Sequence, residues 1–337
     1  MTEKNIYISY LRVIATVFVI LIHASTGFLN NFNPDSFNWN YANIINSFTR
    51  CAVPIFVMLS GALLLPKSEE TLVFYKKRVT KLLLPFGFWT IIYTIYYFYK
   101  YTKFERLSQS QILEIIQDKV LHGANAHLWY LYMILGIYLA IPYLQKLLKQ
   151  LSIKEIEYFL IIWGISMVIM NKRFYSNVPK FDLTFFSGYI GYLILGYYLS
   201  VKDFRSNKFI HLLIYIIGGI ITTIGTYLLS AEVKKYDPMF YYYLFPTTAF
   251  CAFFLFTTAK KYFSKKTNLP KWIQVIDQYS FGIYLVHIIP LNYLHPLFSK
   301  YMSTMFVIPL VTIATTIASI CIIYLFRKIP YGKYISG

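Results

Sequence analysis

The sequence predicts an all-α, polytopic transmembrane helix bundle, and its composition, its apolar runs and its loop charges support this fold class. Of the 337 residues, 57% are hydrophobic and only 14% are charged, whereas a soluble domain carries about 25% charged residues. Apolar runs recur along the whole chain, and most are near the about 20 residues that cross the hydrocarbon core of a bilayer. We therefore expect one integral membrane domain over residues 1–337.

Ten apolar runs, separated by clusters of turn-forming or charged residues, predict about ten spans. The fifth run is short, and the eighth contains the irregular segment "FYYYLFPTTAF". The connector over residues 100–125 alternates apolar and polar residues at helical spacing, so we expect it to lie on the membrane interface. The ten runs cover residues 7–28, 44–65, 80–99, 126–147, 155–170, 183–200, 209–229, 239–259, 274–295 and 305–326.

The loop charges predict that both termini are cytoplasmic. With the N-terminus placed inside, the inner side holds twice as many Lys and Arg residues as the outer side, and the first outer loop, "NNFNPDSFNWNY", holds none. The net charge of +18 reflects the Lys and Arg residues in these loops. Because the basic residues lie between apolar runs, they indicate contact with anionic membrane lipids and exclude a nucleic-acid-binding protein.

Several other features of the apolar runs predict packing rather than chemistry. Three cysteines, Cys51, Cys251 and Cys321, fall inside these runs, and no pair has the spacing of metal ligands. We expect structural thiols and no bound metal. Ser60 and Gly61 in the second run indicate a point of close helix contact rather than a nucleophile, since small residues let helix backbones approach in membranes.

Two arginines lie within predicted spans, where a charged side chain costs about 3 kcal/mol or more. Arg12 is close to the cytoplasmic end of the first span, so one alternative is that its side chain reaches the lipid headgroups. Arg50 is deeper in the second span, which contains no acidic residue. This depth favours a position facing the interior of the bundle.

His23 follows Arg12 by eleven residues in "LRVIATVFVILIHAST". Eleven steps complete about three helical turns, so both side chains lie on one stripe, about 16 Å apart along the axis. In the predicted topology Arg50 comes to the depth of His23. These positions suit acyl transfer from an acyl-CoA. Arg12, on the inner side, would hold the anionic donor, and the neutral His23 imidazole would take a proton from a hydroxyl on the outer side. Arg50 would stabilise the oxyanion that develops. The alternative for His23 alone is a packing histidine.

Five motifs occur in order on the predicted spans. They are the Arg12-x10-His23 pair, "RCAVPIFVMLSGALLL" at 50–65, "FYKKRVTKLLLPF" with Arg78-x-x-Lys81, "HLWYLYMILGIYLAIPYL" at 127–144 and "SFGIYLVHIIPL" at 280–291. Together they resemble the acyltransferase-3 family of bacterial membrane O-acyltransferases. The resemblance is closest to compact members without an appended esterase-like domain, such as enterobacterial-common-antigen acetyltransferase-like proteins. Lys81 replaces an arginine of the family motif, which keeps the charge but weakens bidentate phosphate binding.

The resemblance and the residue chemistry together imply three catalytic positions. His23 is the expected general base toward an acceptor hydroxyl, and a transient acyl-histidine is the alternative. Arg12 is expected to hold the acyl donor or to shape its channel. Arg50 is expected to face the thioester carbonyl or the acceptor.

Two further groups of residues are expected to bind the substrates. The phosphates of acetyl-CoA are expected at a basic cluster on the inner side, Lys77, Arg78 and Lys81. The positive-inside rule by itself also explains basic residues there. The acceptor sugar is expected at an outer set of side chains, His127, Trp129, Tyr130 and His287. The alternatives for this outer set are an aromatic belt and a hydrogen-bonded core histidine.

We therefore expect an acyl-CoA-dependent O-acyltransferase in the bacterial cytoplasmic (inner) membrane. The resemblance implies transfer of an acyl group, with acetyl expected, from cytoplasmic acetyl-CoA to a hydroxyl of an envelope polysaccharide or its lipid-linked precursor on the outer side. The alternative is a glycolipid or polysaccharide transporter or flippase without acyl transfer. Such proteins commonly have two related halves and paired helix breaks, and the sequence suggests neither. A scaffold without chemistry conflicts with the arginines inside the spans.

Overall fold

The computed structural model describes residues 6–30, 32–102, 107–171, 182–204 and 207–337, and all regular elements in these ranges are helical. The predicted all-α class is confirmed. Short 3-10 turns lie at Gly27–Leu29, Ala126–Leu128, Thr184–Phe186 and Met239–Tyr241. The α-helices of these ranges are α1 (Ile6–Thr26), α2 (Phe37–Thr49), α3 (Ala52–Leu64), α4 (Thr71–Tyr101), α5 (Gln109–His122), α6 (Trp129–Leu148), α7 (Ile153–Ile169), α8 (Ile190–Val201), α9 (Lys208–Val233), α10 (Pro246–Phe263), α11 (Lys271–Val286), α12 (Ile288–Ser299), α13 (Thr304–Phe326) and α14 (Gly332–Ile335).

Seven apolar segments of the described ranges are long enough to cross a membrane, and the bent pair α11–α12 would be an eighth. The seven are α1, the joined pair α2–α3, α4, α6, α9, α10 and α13. The predicted fifth and sixth spans correspond to α7 and α8, which have 17 and 12 residues and are shorter than the about 20 that a span needs. The polytopic membrane bundle is confirmed, but the predicted count of about ten spans is not.

Two of the spans are interrupted, and a proline accounts for each interruption. Pro54 and Pro290 both lie in the first turn of the helix that follows the break. A proline ring clashes with the carbonyl four residues earlier and offers no N–H to it; that residue is Arg50 in one case and Val286 in the other. The axes of α11 and α12 differ by 81°. The bend between α11 and α12 was not predicted from the sequence.

α1 occupies the centre of the bundle. It contacts α2, α3, α10, α11, α12 and α13, and Leu11, Ala15 and Ile20 on its surface are completely buried. A helix surrounded by other helices presents its polar side chains to protein rather than to lipid. Both Arg12 and His23 therefore project into the interior of the bundle instead of toward the acyl chains.

α3 and α8 pack with their backbones in direct contact. A Cβ added to Gly61 would lie 1.8 Å from the Leu193 carbonyl oxygen, and one added to Gly196 would lie 1.9 Å from the Met58 carbonyl oxygen. Only glycine fits at either position, because a methyl group would overlap the neighbouring backbone. The predicted role of Gly61 as a close-packing point is confirmed.

The connector over residues 100–125 contains the helix predicted from its spacing. α5 starts at a capping box in which Ser108 and Gln111 satisfy each other's backbone N–H groups. No residue of α5 is buried, and its position on the membrane interface stays a prediction. The orientation of the bundle is also a prediction. Several cations counted for that orientation lie outside the described residues: Lys4, Lys103, Arg106, Lys172, Arg173, Lys180 and Arg205.

Candidate active site

Arg12 forms an ion pair inside the bundle. Its guanidinium donates to Asp277 on α11, and the Ser9 hydroxyl donates to the other carboxylate oxygen of Asp277 at 2.8 Å. The Asp277 side chain is 3% exposed and that of Arg12 is 27% exposed. Arg12 therefore does not reach toward lipid headgroups. Asp277 was not among the predicted site residues, although it is the only acidic residue of its apolar run.

A cavity of about 810 Å³ has Arg12 and several other basic side chains in its lining. Aromatic residues also line it, of which Tyr130 and Tyr284 come from α6 and α11. Lys77, Arg78 and Lys81, predicted as the phosphate site, all line it. The basic residues of its lining are Arg12, Lys76, Lys77, Arg78, Lys81 and Lys333.

Lys333 is a basic residue of this cavity that the sequence analysis missed. It lies on α14, which packs against α4. The Trp89 indole donates to the Ile335 carbonyl at 2.9 Å, and a Cβ on Gly332 would lie 1.7 Å from the Phe326 carbonyl oxygen. These two contacts hold α14 closely against the bundle. No motif marks Lys333, because its place at the cavity depends on this packing.

The charge of the basic cluster is partly compensated. Lys77 Nζ and Arg78 Nη2 lie 3.8 and 3.7 Å from the same carboxylate oxygen of Glu69. The buried Nε of Arg78 has no hydrogen-bond partner among the described residues. One carboxylate faces two cations here, so an anionic ligand at this cluster would meet net positive charge.

Three histidines come together next to Tyr284. The ring centres of His23 and His287 are 5.1 Å apart, those of His127 and His287 are 5.1 Å apart, and those of His23 and His127 are 6.5 Å apart. None of these three rings is among the residues that line the cavity. In the described part of the chain, no group of His, Cys, Asp or Glu residues has an arrangement that could hold a metal ion.

The three rings differ in how many of their nitrogens have a hydrogen-bond partner in the protein. His127 is buried, its Nδ1 lies 3.0 Å from Asn125 Oδ1, and its Nε2 lies 3.4 Å from the Leu285 carbonyl oxygen. His287 is completely buried, and its Nδ1 has one partner, the Tyr284 carbonyl oxygen. His23 is partly exposed and makes no hydrogen bond to any described residue. Of the three, His23 is the ring that a substrate can reach most easily.

Arg50 lies at the break between α2 and α3, and α2 packs against α1, the helix that carries His23. Its guanidinium carbon is 4.5 Å from the centre of the Tyr241 ring, a cation–π contact that offsets part of the cost of burying the charge. Its Nε is buried without a hydrogen-bond partner in the described ranges. Tyr241 belongs to the segment whose irregular sequence was noted above.

The predicted acceptor set divides into two groups. Tyr130 lines the cavity, and His127 and His287 belong to the histidine cluster. Trp129 instead stacks on Tyr243, with ring centres 5.4 Å apart, and is not among the residues that line the cavity. Any contact of Trp129 with a sugar would therefore be made outside the cavity.

A family model described as an acyltransferase domain matches residues 5–327. The comparisons with curated proteins and with solved structures found no match. The matched range contains Arg12, His23, Arg50 and the basic cluster. It ends before Lys333.

Proposed function

Since the chain belongs to the acyltransferase-3 family and is a membrane acyltransferase, we propose that its donor is cytoplasmic acyl-CoA, with acetyl as the acyl group. The acceptor is a hydroxyl of a cell-envelope polysaccharide or its lipid-linked precursor on the outer side of the bacterial cytoplasmic membrane. The reaction joins the acyl carbon to the acceptor oxygen and releases CoA as the free thiol.

The cavity supports this donor more strongly than any other feature. Six basic side chains line it, and no Asp or Glu side chain is among the described residues of the lining. CoA carries several phosphate charges at one end and an uncharged pantetheine arm at the other. Lys and Arg bind phosphate through charge-assisted hydrogen bonds, and the aromatic part of the cavity suits the uncharged arm. Lys77, Arg78, Lys81 and Lys333 would hold the phosphates.

His23 is the proposed general base. A neutral imidazole takes the proton of the acceptor hydroxyl as the oxygen attacks the thioester carbonyl, and the departing CoA thiolate then takes that proton. His23 is not among the residues that line the cavity, so the neighbouring side chains would have to move for the thioester to reach it. The Arg50 guanidinium would stabilise the negative charge that develops on the carbonyl oxygen.

A transporter or flippase for a glycolipid is the second candidate, and one observation favours it. Interrupted helices near the middle of the membrane are typical of transporter binding sites, and two spans are interrupted here, at Arg50 and at His287. A transporter would bind its substrate without consuming acyl-CoA. The release of free CoA thiol therefore distinguishes the two functions.

The proposed function is tested with purified protein, acetyl-CoA and N-acetylglucosamine as a soluble hydroxyl probe, with free CoA measured over time. We expect wild-type protein to release CoA, and His23→Ala to be slower by about 10²–10⁴-fold, the usual contribution of a general base. His122→Ala is the matched control, since that ring lies on α5 and is 74% exposed. Full CoA release by His23→Ala would refute its role, and no release by wild-type protein would refute acyl transfer from CoA.

A further inference from the structure

His287 has one nitrogen whose bonding is defined and one that is unused. Its Nδ1 lies 2.7 Å from the Tyr284 carbonyl oxygen. A carbonyl oxygen only accepts hydrogen bonds, so Nδ1 carries the ring proton, and Nε2 of the neutral ring has a lone pair. This Nε2 is completely buried and has no hydrogen-bond partner among the described residues. A buried acceptor without a donor is costly, so the position favours an incoming N–H or O–H group.

The backbone holds the His287 ring in one place. His287 lies at the bend between α11 and α12, where its N–H donates to the Ile283 carbonyl at 3.0 Å. Its own carbonyl accepts from Leu291 N at 3.1 Å, in the first turn of α12. The residue is thus bonded to the helices on both sides of the bend. With Nδ1 held at the Tyr284 carbonyl, the ring lies within 5.1 Å, centre to centre, of both other rings of the cluster.

His23 is the partner that fits this lone pair best. Its ring centre is 5.1 Å from that of His287, and no described residue donates to it or accepts from it. Both nitrogens of His127, the third ring, already lie near protein acceptors. His23 also reaches the partly exposed side of the cluster, whereas His287 lies behind it.

We propose that His287 is a positioning residue for the acyl transfer: its Nε2 accepts a hydrogen bond from one N–H of His23, so that the other His23 nitrogen presents its lone pair to the acceptor hydroxyl. This inference rests on the proposed function. The acceptor O–H proton moves to the free nitrogen of His23, the C–O bond forms and the C–S bond breaks. The CoA thiolate then takes the proton from His23. The proton shared with His287 stays in place throughout.

A matched pair of substitutions tests this arrangement. Gln and Met have similar length and shape, but only Gln has an oxygen that can accept a hydrogen bond from His23. With acetyl-CoA and N-acetylglucosamine, we expect His287→Met to lower kcat by about 10²-fold, within the range for misplacing a general base. We expect His287→Gln to retain kcat within about tenfold, and both variants to keep the KM for acetyl-CoA within about twofold.

His295→Met is the control, because His295 lies on α12 and bonds to the Ala24 carbonyl rather than to the cluster. We expect its kcat to be that of wild-type protein. Equal losses in His287→Met and His287→Gln, or full activity in His287→Met, would overturn the positioning role while the proposed function stands. An inactive wild-type protein would overturn the proposed function, and this inference with it. Elution of both variants as folded protein in detergent distinguishes a lost contact from a lost fold.

Discussion

Removing the carboxylate of Asp277 is expected to destabilise the bundle because it leaves the Arg12 cation without its partner. Asp277→Asn keeps the size of the side chain and an oxygen for the Ser9 hydroxyl. Removing one partner of a buried ion pair lowers the free energy of unfolding by about 3–5 kcal/mol. The Arg12 side chain is 27% exposed, so water in the cavity offsets part of the cost, and we expect about 2–3 kcal/mol for Asp277→Asn. Arg12→Gln breaks the same ion pair from the other side and should cost a similar amount, because Asp277 keeps other partners such as Ser9.

The free energy of unfolding is measured by SDS titration of the purified protein in detergent, with tryptophan fluorescence as the signal. The double variant, which carries Asp277→Asn and Arg12→Gln, should be less destabilised than the sum of the two single variants, because either substitution alone already breaks the ion pair. Additive losses within about 0.5 kcal/mol would show that the two groups do not interact and would refute the reasoning. Asp277→Asn should also leave the KM for acetyl-CoA unchanged or lower, since it adds net positive charge to the cavity.

Two further predictions concern Lys333 and the contact between α3 and α8. Lys333→Gln should raise the KM for acetyl-CoA about fivefold, which corresponds to the loss of about 1 kcal/mol of charge-assisted contact with the donor. The control is Lys328→Gln, which is on the same segment but outside the cavity lining and should leave the KM unchanged. Equal effects of the two substitutions would mean that only the overall charge matters. Gly196→Ala should lower the free energy of unfolding by about 2 kcal/mol or more, because its Cβ would overlap the Met58 carbonyl. Gly136→Ala, where a Cβ meets open space, should be neutral in the same SDS titration, and a stable Gly196→Ala would contradict the close packing.

Patterns within a single helix could be predicted from the sequence because they depend only on helical periodicity and side-chain chemistry. The length and apolarity of the runs predict the membrane bundle. The interval of eleven residues between Arg12 and His23 predicts that they share a stripe, and the small side chain of Gly61 predicts close packing. The motifs of the basic cluster and of the spans were also sufficient to suggest the family to which the chain belongs.

Contacts between distant parts of the chain could not be predicted in this way. Asp277 neutralises Arg12 across 265 positions of sequence, and Lys333 reaches the cavity only because α14 folds against α4. The free nitrogen of His287 follows from the bend at Pro290 and from the carbonyl that holds the other side of the ring. Local periodicity determines which side of a helix is polar. Which partner that side meets depends on how the helices pack, and packing is decided by the shapes and charges of all the neighbouring helices together.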